Sequence, residues 1–533
     1  METTVAIAGG IGFFLLGMAV MTDGLKALAG SALRTVLAKA TATSLSGTAW
    51  GAVVTLLVQS SSATTMTTIG LVSAGLLTFP QGLSLVFGAN IGTTGTGWLV
   101  ALLGVRISLT TYALPIVFIG ALLKLMGKGR WAASGAAIAG FALILVGLTT
   151  LQQGMSGLAE QLQPADLPAV LGGAGVPWGP GALGLLALVA TGIVMTTVMQ
   201  SSTAAITITI SALFAGAIGL DQALALVIGQ NIGTSTSSAM AAIGASNTAK
   251  RLAVAYIAFK LIAAVVAIVL FPVTVRLMLR AAESIDPVTL VAAYHTAYNV
   301  VGVAILLPLI DPFTRVIERI VPERGPTFTR YLDPAALVAS PIVAIEAARR
   351  TVAHVLNVLC SADAAAAEAS DALQQVHAFL SKVTEPLPSE DERQWFIETL
   401  HALDHTIQLA VVIEESATIK ALLDGPDERR AVQLYTEAMR SAADGAAVLE
   451  HVTVQHMAVA PADAKTVQPV DHLAGCSGEL TSLRVRYRQT ALDSVAAGRL
   501  TASDAMANVD AVRLLDRRAH HAWRAVAYLA GVA

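Results

Sequence analysis

Long uncharged apolar runs dominate the first three fifths of the chain and then give way to amphipathic segments of helical period. Residues 40–105 carry no charged side chain across 66 positions, and a further 54 uncharged positions fill 167–220 and 28 fill 222–249. A membrane-crossing helix needs about 20 mainly apolar residues, because lipid offers its backbone no hydrogen-bond partners. The pattern predicts crossings within those runs and near 5–22, 108–127, 131–151, 250–272 and 288–310. The opening METTVAIAGGIGFFLLGMAV lacks the basic stretch of a cleaved leader and reads as a retained first crossing. From about residue 340, segments 341–381, 390–424, 427–459, 470–498 and 502–530 predict soluble helices, with Leu400, Leu403, Ile407 and Val411 at helical spacing. Pro386, Pro388, Gly425-Pro426 and Pro461 separate them, and Thr501 ahead of Asp504 predicts a helix cap. The expected fold is therefore all-α, a polytopic membrane protein followed by a soluble helical bundle.

Composition sharpens this division. Only 13% of the 533 residues are charged, against roughly 25% in soluble domains. Of the 69 charged side chains, 20 fall in residues 1–312 and 49 in the last 221. The net charge of -3 splits into +4 in front and -7 behind, which leaves no basic face for nucleic acid. Both cysteines, Cys360 and Cys476, lie in the back part with no CxxC pair or Cys/His cluster, so neither a disulfide scaffold nor a structural zinc is expected. Arg315, Arg319, Arg324 and Arg330 follow the last crossing and favour a cytoplasmic carboxyl-terminal domain.

Inside the apolar part, Gln59–Thr93 and Gln200–Thr234 match without a gap at an offset of 141 residues, with nearly half of the 35 positions identical. The matched positions include Gln59/Gln200, Ser60/Ser201, Ser61/Ser202, Gly88/Gly229, Asn90/Asn231 and Thr93/Thr234. Uncharged amides and hydroxyls are costly in hydrocarbon unless they face a bundle interior or a water-filled cavity. Paired, interrupted apolar segments at corresponding places in two halves point to a transporter's substrate and ion site. Unwound backbone and side-chain oxygens suit a hard cation, whereas half-helix amino termini suit an anion. Packing between helices is the simpler reading for isolated members such as Thr67 and Ser73.

The QSSS and GANIGTT pair, repeated as QSST and GQNIGTS, resembles the type II sodium-dependent phosphate cotransporter family over about residues 1–312. The opening GGIGFFLLGMAVMTDGLKALAG and the stretch Ala293–Asn299 running towards Pro308 are similar to that family's elements. The resemblance implies an inverted repeat with broken or re-entrant helices, and phosphate between the two QSS segments coupled to sodium. Carried over by motif, the binding residues would be Gln59, Ser60, Ser61, Ser62, Thr64, Gln200, Ser201, Ser202 and Thr203, adjoined by Asn90, Thr93, Thr94, Asn231, Thr234 and Ser235. It also implies the organisation 1–151 membrane repeat 1, 152–180 connecting loop, 181–312 repeat 2, 313–340 linker and 341–533 cytoplasmic bundle, PhoU-like as in bacterial members. Transported sodium would be the only metal, with no resident cofactor, the protein would sit in the bacterial plasma membrane, and the bundle could meet a second copy or a regulatory protein.

Other readings stay open at this point: export or leak of phosphate, another oxyanion, or a sensor without flux. An intramembrane enzyme is not expected, since the crossings hold no paired carboxylates and no HExxH, and GxxxxGK[ST] is absent. Thr64 and Thr65 face Ala205 and Ile206 at the 141 offset, so the two halves are unequal. Lys260, within YIAFKLIAAVVAIVL, reads equally as a functional group or as a side chain snorkelling to an interface. His295 reads first as a hydrogen-bonded structural histidine and Asp23 as interfacial. His401 and His405, one turn apart, either hold a metal or belong to a solvated face.

Overall fold

A computed structural model describes residues 2–39, 43–104, 110–173, 175–243, 246–322, 328–361, 366–387, 389–416, 425–451 and 464–532. The regular elements among them are all helical. Arg324, Pro388 and Pro461 lie outside the described residues. The chain divides into two compact units, Met1–Thr68 with Thr78–Glu323, and Ile69–Leu77 with Arg324–Ala533.

The first unit contains α1 (Glu2–Lys39), α2 (Ser44–Val58), the start of α3 (Ser61–Ser73), α4 (Phe79–Gly92), α5 (Thr94–Leu99), α6 (Thr110–Met126) and α7 (Arg130–Ala159). It continues through α8 (Trp178–Met199), α9 (Ser202–Ala215), α10 (Leu220–Gly233), α11 (Ser235–Ala241), α12 (Asn247–Ala281), α13 (Pro287–Leu306) and α14 (Ile310–Ile320). Among the described residues six segments are long and apolar enough to cross a membrane: Glu2–Leu28, Phe79–Leu102, Arg130–Ala159, Trp178–Met199, Asn247–Ala281 and Pro287–Ile320. Within its described residues the uncharged run 222–249 is interrupted at the position that matches the α4–α5 junction. It breaks after Gly233 into α10 and α11, of 14 and 7 residues, where Thr234 turns its hydroxyl back onto the Asn231 carbonyl at 2.6 Å.

Glycine sets the closest packing. Gly10, Gly17 and Gly24 recur every seven residues on α1, as do Gly140, Gly147 and Gly154 on α7. A Cβ at Gly17 would stand 2.6 Å from the Ile144 nitrogen, and one at Gly140 only 2.2 Å from that of Met21. The two backbones therefore touch along an antiparallel seam, the arrangement small residues permit where dispersion replaces the hydrophobic effect. The same device builds both repeats. A Cβ at Gly88 would meet the Thr48 carbonyl at 1.9 Å, and one at Gly229 would meet the Val189 carbonyl at 1.9 Å. Both members of each pair are related by the offset of 141, so the parallel α2–α4 pair recurs as α8–α10.

In the second unit Ile69–Leu77 groups with α15 (Pro334–Ala339), α16 (Pro341–Ser361), α17 (Ala366–Leu380), α18 (Glu390–Ser416), α19 (Pro426–His451), α20 (Ala464–Ala496) and α21 (Ala502–Ala530). Its core holds Val352, Leu356, Leu403, Leu409, Leu480 and Val526. The expected stripe on α18 is rotated. Leu403 is buried and Ile407 partly so, but Leu400 and Val411 are each 39% exposed while Ala402, Thr406, Leu409, Ala410 and Ile413 turn inward. An alanine-rich helix has a broad apolar arc, and packing chooses which edge is buried. Thr501 caps α21 by accepting from the Asp504 nitrogen at 3.1 Å, and its hydroxyl donates to the Asp504 carboxylate at 2.6 Å.

His405 and His401 do not converge on a shared ligand position: His405 Nδ1 lies 3.1 Å from His521 Nδ1 on α21, and the His401 ring stacks on Tyr528. Burial, followed by the charges of His405, His520 and Arg517, pushes His521 down to about 4, with Asp404 opposing. His405 and His520, flanked by Asp404, Asp516 and Arg524, are also lowered, again chiefly by burial. Between the ordinary value near 6.5 and about 4, the unfolded chain takes up a proton that folded His521 refuses. Stability is thus present above about 6.5 and is lost as pH falls through that window. Thermal unfolding of the full-length protein in detergent, followed from about pH 7.5 to about pH 4.5, is expected to show this loss, with a shallower slope in His521→Gln. An identical slope in wild type and variant would exclude this histidine as the source.

Candidate functional site

Each repeat places its Gln-Ser-Ser block at a break between two helices. Gln59 (φ 57°) ends α2, and Gln200 (φ 51°) ends α8. Among the described residues these are the non-glycine positions with left-handed backbone, a conformation costing roughly 1–2 kcal/mol for an L-residue. The side-chain amide helps hold each break. Gln59 donates to the Leu56 carbonyl and accepts from the Thr96 hydroxyl. Gln200 donates to the Thr197 carbonyl at 2.6 Å and accepts from the Ser237 hydroxyl at 2.8 Å. Thr96 and Ser237 are themselves 141 residues apart. They lie just past the matched block and were missed in the sequence, although continuing the offset by three residues finds them.

Beyond each break the next helix begins on a serine cap. Ser60 Oγ accepts from the Ala63 nitrogen and Ser201 Oγ from the Ala204 nitrogen, both at 3.2 Å. The first backbone N–H groups of α3 and α9, on Ser61, Ser62, Ser202 and Thr203, have no place in the intrahelical ladder. Both breaks open on one cavity of about 430 Å³. Its lining includes Gln59, Ser60, Ser61, Ser62 and Thr93 from the first repeat, and Gln200, Ser201, Ser202, Thr203 and Thr234 from the second. Asp23 and Lys26 of α1 line it too, which gives Asp23 a place the sequence did not suggest.

The remaining predicted residues stand behind this wall. Thr64, Asn90, Thr94, Asn231 and Ser235 are buried and do not line the cavity. Asn90 and Asn231 each donate back to their own helix, to Val86 and Val227, leaving their side-chain oxygens outward. The Asn90 oxygen accepts from the Tyr256 hydroxyl at 3.1 Å. The Asn231 oxygen accepts from the Lys260 ammonium at 3.3 Å and the Asn299 amide at 3.2 Å. Lys260 is 2% exposed, so it does not snorkel, and among the described residues no carboxylate pairs with it. His295 is buried with Nδ1 unpartnered, in contrast to the hydrogen-bonded histidine expected.

The inequality between repeats has a structural consequence. Thr55 donates to Thr64 at 2.9 Å in the first repeat. The equivalents in the second are Thr196 and Ala205, and the Thr196 hydroxyl, on the cavity lining, has no partner.

Broken helices duplicated within a membrane-spanning unit, with polar breaks sharing one cavity, define a polytopic membrane protein of transporter type. The chain belongs to the Na+/Pi-cotransporter family, which it matches over residues 13–153 and 185–289. It is 32% identical over 312 residues to uncharacterized protein YqeW of Bacillus subtilis (strain 168), covering 58% of this chain and 96% of that protein. It is 27% identical over 397 residues to the protein named "Putative inorganic phosphate export protein YjbB" of Escherichia coli (strain K12), covering 74% of this chain and 67% of that one. No solved structure matches the chain.

Proposed function

We propose that the chain moves inorganic phosphate across the bacterial plasma membrane in symport with sodium, both bound where the two Gln-Ser-Ser breaks meet. The observation that carries this reading is the shared cavity with its two serine-capped helix starts. A phosphate oxygen takes N–H and O–H donors, and two helix amino termini add positive dipole ends where the anion's charge would lie. The hydroxyls of Ser61, Ser62, Ser202 and Thr203 would complete its shell. The oxygens of Gln59 and Gln200, the unpartnered Thr196 hydroxyl and backbone carbonyls suit sodium. A volume of about 430 Å³ leaves room for anion, cation and water together, water occupying roughly 30 Å³. The Lys260 amine stands buried behind the second repeat against the Asn231 oxygen, with no carboxylate partner among the described residues.

The carboxyl-terminal unit is assigned to the cytoplasm as a PhoU-like regulatory bundle that meets a second copy or a regulatory protein. The test is labelled phosphate uptake into proteoliposomes under an inward sodium gradient against an equal choline gradient. Concentration above equilibrium with sodium alone supports symport; equilibration indifferent to sodium rejects it. The Escherichia coli relative's name supports a second reading, export, which predicts net efflux from preloaded vesicles and no sodium-driven accumulation. In the same assay Lys260→Met, which keeps an apolar stem of similar length, is expected to weaken half-saturation by phosphate about tenfold, equivalent to about 1.4 kcal/mol. Unchanged half-saturation would remove Lys260 from the anion's field.

A further inference from the structure

The second unit brings together three side chains that are far apart along the chain. α19 and α20 run antiparallel, with Arg430 meeting Glu479 at 2.7 Å and Ser441 meeting His472 at 3.0 Å. This register sets Glu437 opposite Cys476. His472 and Cys476, one turn apart, share a face of α20, with Nδ1 and Sγ separated by 3.9 Å. One ligand atom each from Glu437, His472 and Cys476 lies within 4.8 Å of the other two. The cluster corrects the expectation that no Cys/His grouping exists: His472 and Cys476 stand one turn apart on α20, and Glu437 joins them from α19.

These three groups differ in kind from an ordinary acidic surface. Cys476 is a free, buried thiol, Glu437 is half-buried, and His472 is exposed at the edge. Zinc bonds of about 2.0–2.3 Å place tetrahedral ligand atoms about 3.3–3.6 Å apart, within reach of small side-chain rotations here. The supporting contacts suit ligation. Gln433 donates to one Glu437 oxygen at 2.9 Å, which orients the carboxylate and leaves the other oxygen free. The neighbouring cation Arg430 is engaged by Glu479 through both Nε and a terminal nitrogen. The Ser441 hydroxyl lies 3.0 Å from the same His472 nitrogen that faces the thiol, and zinc binding there requires that hydroxyl to turn away.

We propose that Glu437, His472 and Cys476 bind one zinc ion, with water in the fourth position at the exposed edge. Binding joins α19 to α20 and releases the Cys476 thiol proton to solvent. A thiolate and an imidazole favour zinc over magnesium or calcium, which take oxygen ligands. The site is built from residues other than those of the transport cavity, and it does not depend on the transport reading.

The test titrates reduced, chelator-stripped full-length protein in detergent with cobalt(II), whose thiolate charge-transfer band in the near ultraviolet reports a sulfur ligand. One equivalent should generate the band, and zinc should bleach it. Cys476→Ser should abolish the band and Cys360→Ser should leave it. His472→Gln, at an exposed position that folding tolerates, should weaken cobalt binding at least tenfold with unchanged helical circular dichroism. Absence of the band in wild type, its survival in Cys476→Ser, or unaltered affinity in His472→Gln would each overturn the site. Should Cys476→Ser fail to fold, the His472→Gln titration decides.

Discussion

Alanine at Gln59 or Gln200 is expected to lower phosphate transport at least tenfold while the amount of protein in the membrane stays unchanged. Each glutamine does two things at its break. Its backbone adopts the left-handed conformation that turns one helix into the next, and its amide bonds a carbonyl on one side and a hydroxyl on the other. Alanine keeps neither bond and frees the Thr96 or Ser237 hydroxyl. Hydrogen bonds of this kind are worth about 0.5–1.5 kcal/mol each, so losing two reaches the roughly 1.4 kcal/mol that corresponds to tenfold. Glycine variants separate the two roles, since glycine adopts positive φ readily yet brings no amide. Loss of transport in both Gln→Ala and Gln→Gly assigns the effect to the amide. Recovery in Gln→Gly would reduce the glutamines to backbone devices, and normal transport in all four variants would remove the breaks from the site.

The largest structural effect is expected at Gly88 and Gly229. Valine at either position would drive a Cβ to within 1.9 Å of a carbonyl oxygen on the partnered helix, and the obstacle is backbone, which cannot rotate away. Overpacking ordinarily costs about 1–3 kcal/mol, and a clash with main chain should exceed that range. Gly88→Val and Gly229→Val should therefore yield little folded protein, seen as lost monodispersity and a depressed melting temperature in detergent. Gly12→Ala, where nothing lies within 4 Å of the added carbon, is the matched control. Equal melting temperatures for Gly88→Val and Gly12→Ala would mean that the α2–α4 and α8–α10 pairs are not as tightly packed as described.

Much of the architecture was legible because its causes are local. The length of uncharged runs reports on lipid, and the alanine- and leucine-rich period reports on helix packing, so the helical class and the two-part division need no partner information. The duplication was equally plain, since a gapless offset preserves the Gln, Asn and Gly that both repeats require. The offset also pointed to Thr96 and Ser237, had it been followed past Thr93. Less accessible was the state of Lys260. A lysine in an apolar run has the same local pattern whether it snorkels or is buried, and only the approach of Asn231 from another helix decides for burial.

The sequence by itself determined the solvent each part meets, the helical class and the pairing of the two polar blocks, because hydropathy, period and repetition are properties of neighbours along the chain. Tertiary structure alone decided that Gln59 and Gln200 open on one cavity, that Asn90 and Asn231 stand behind it, and that Thr196 loses the partner Thr55 retains. It also decided that Glu437 reaches His472 and Cys476. Each of these outcomes depends on which helices touch and in what register. That is set by close packing of surfaces distant in sequence, and no local pattern encodes it.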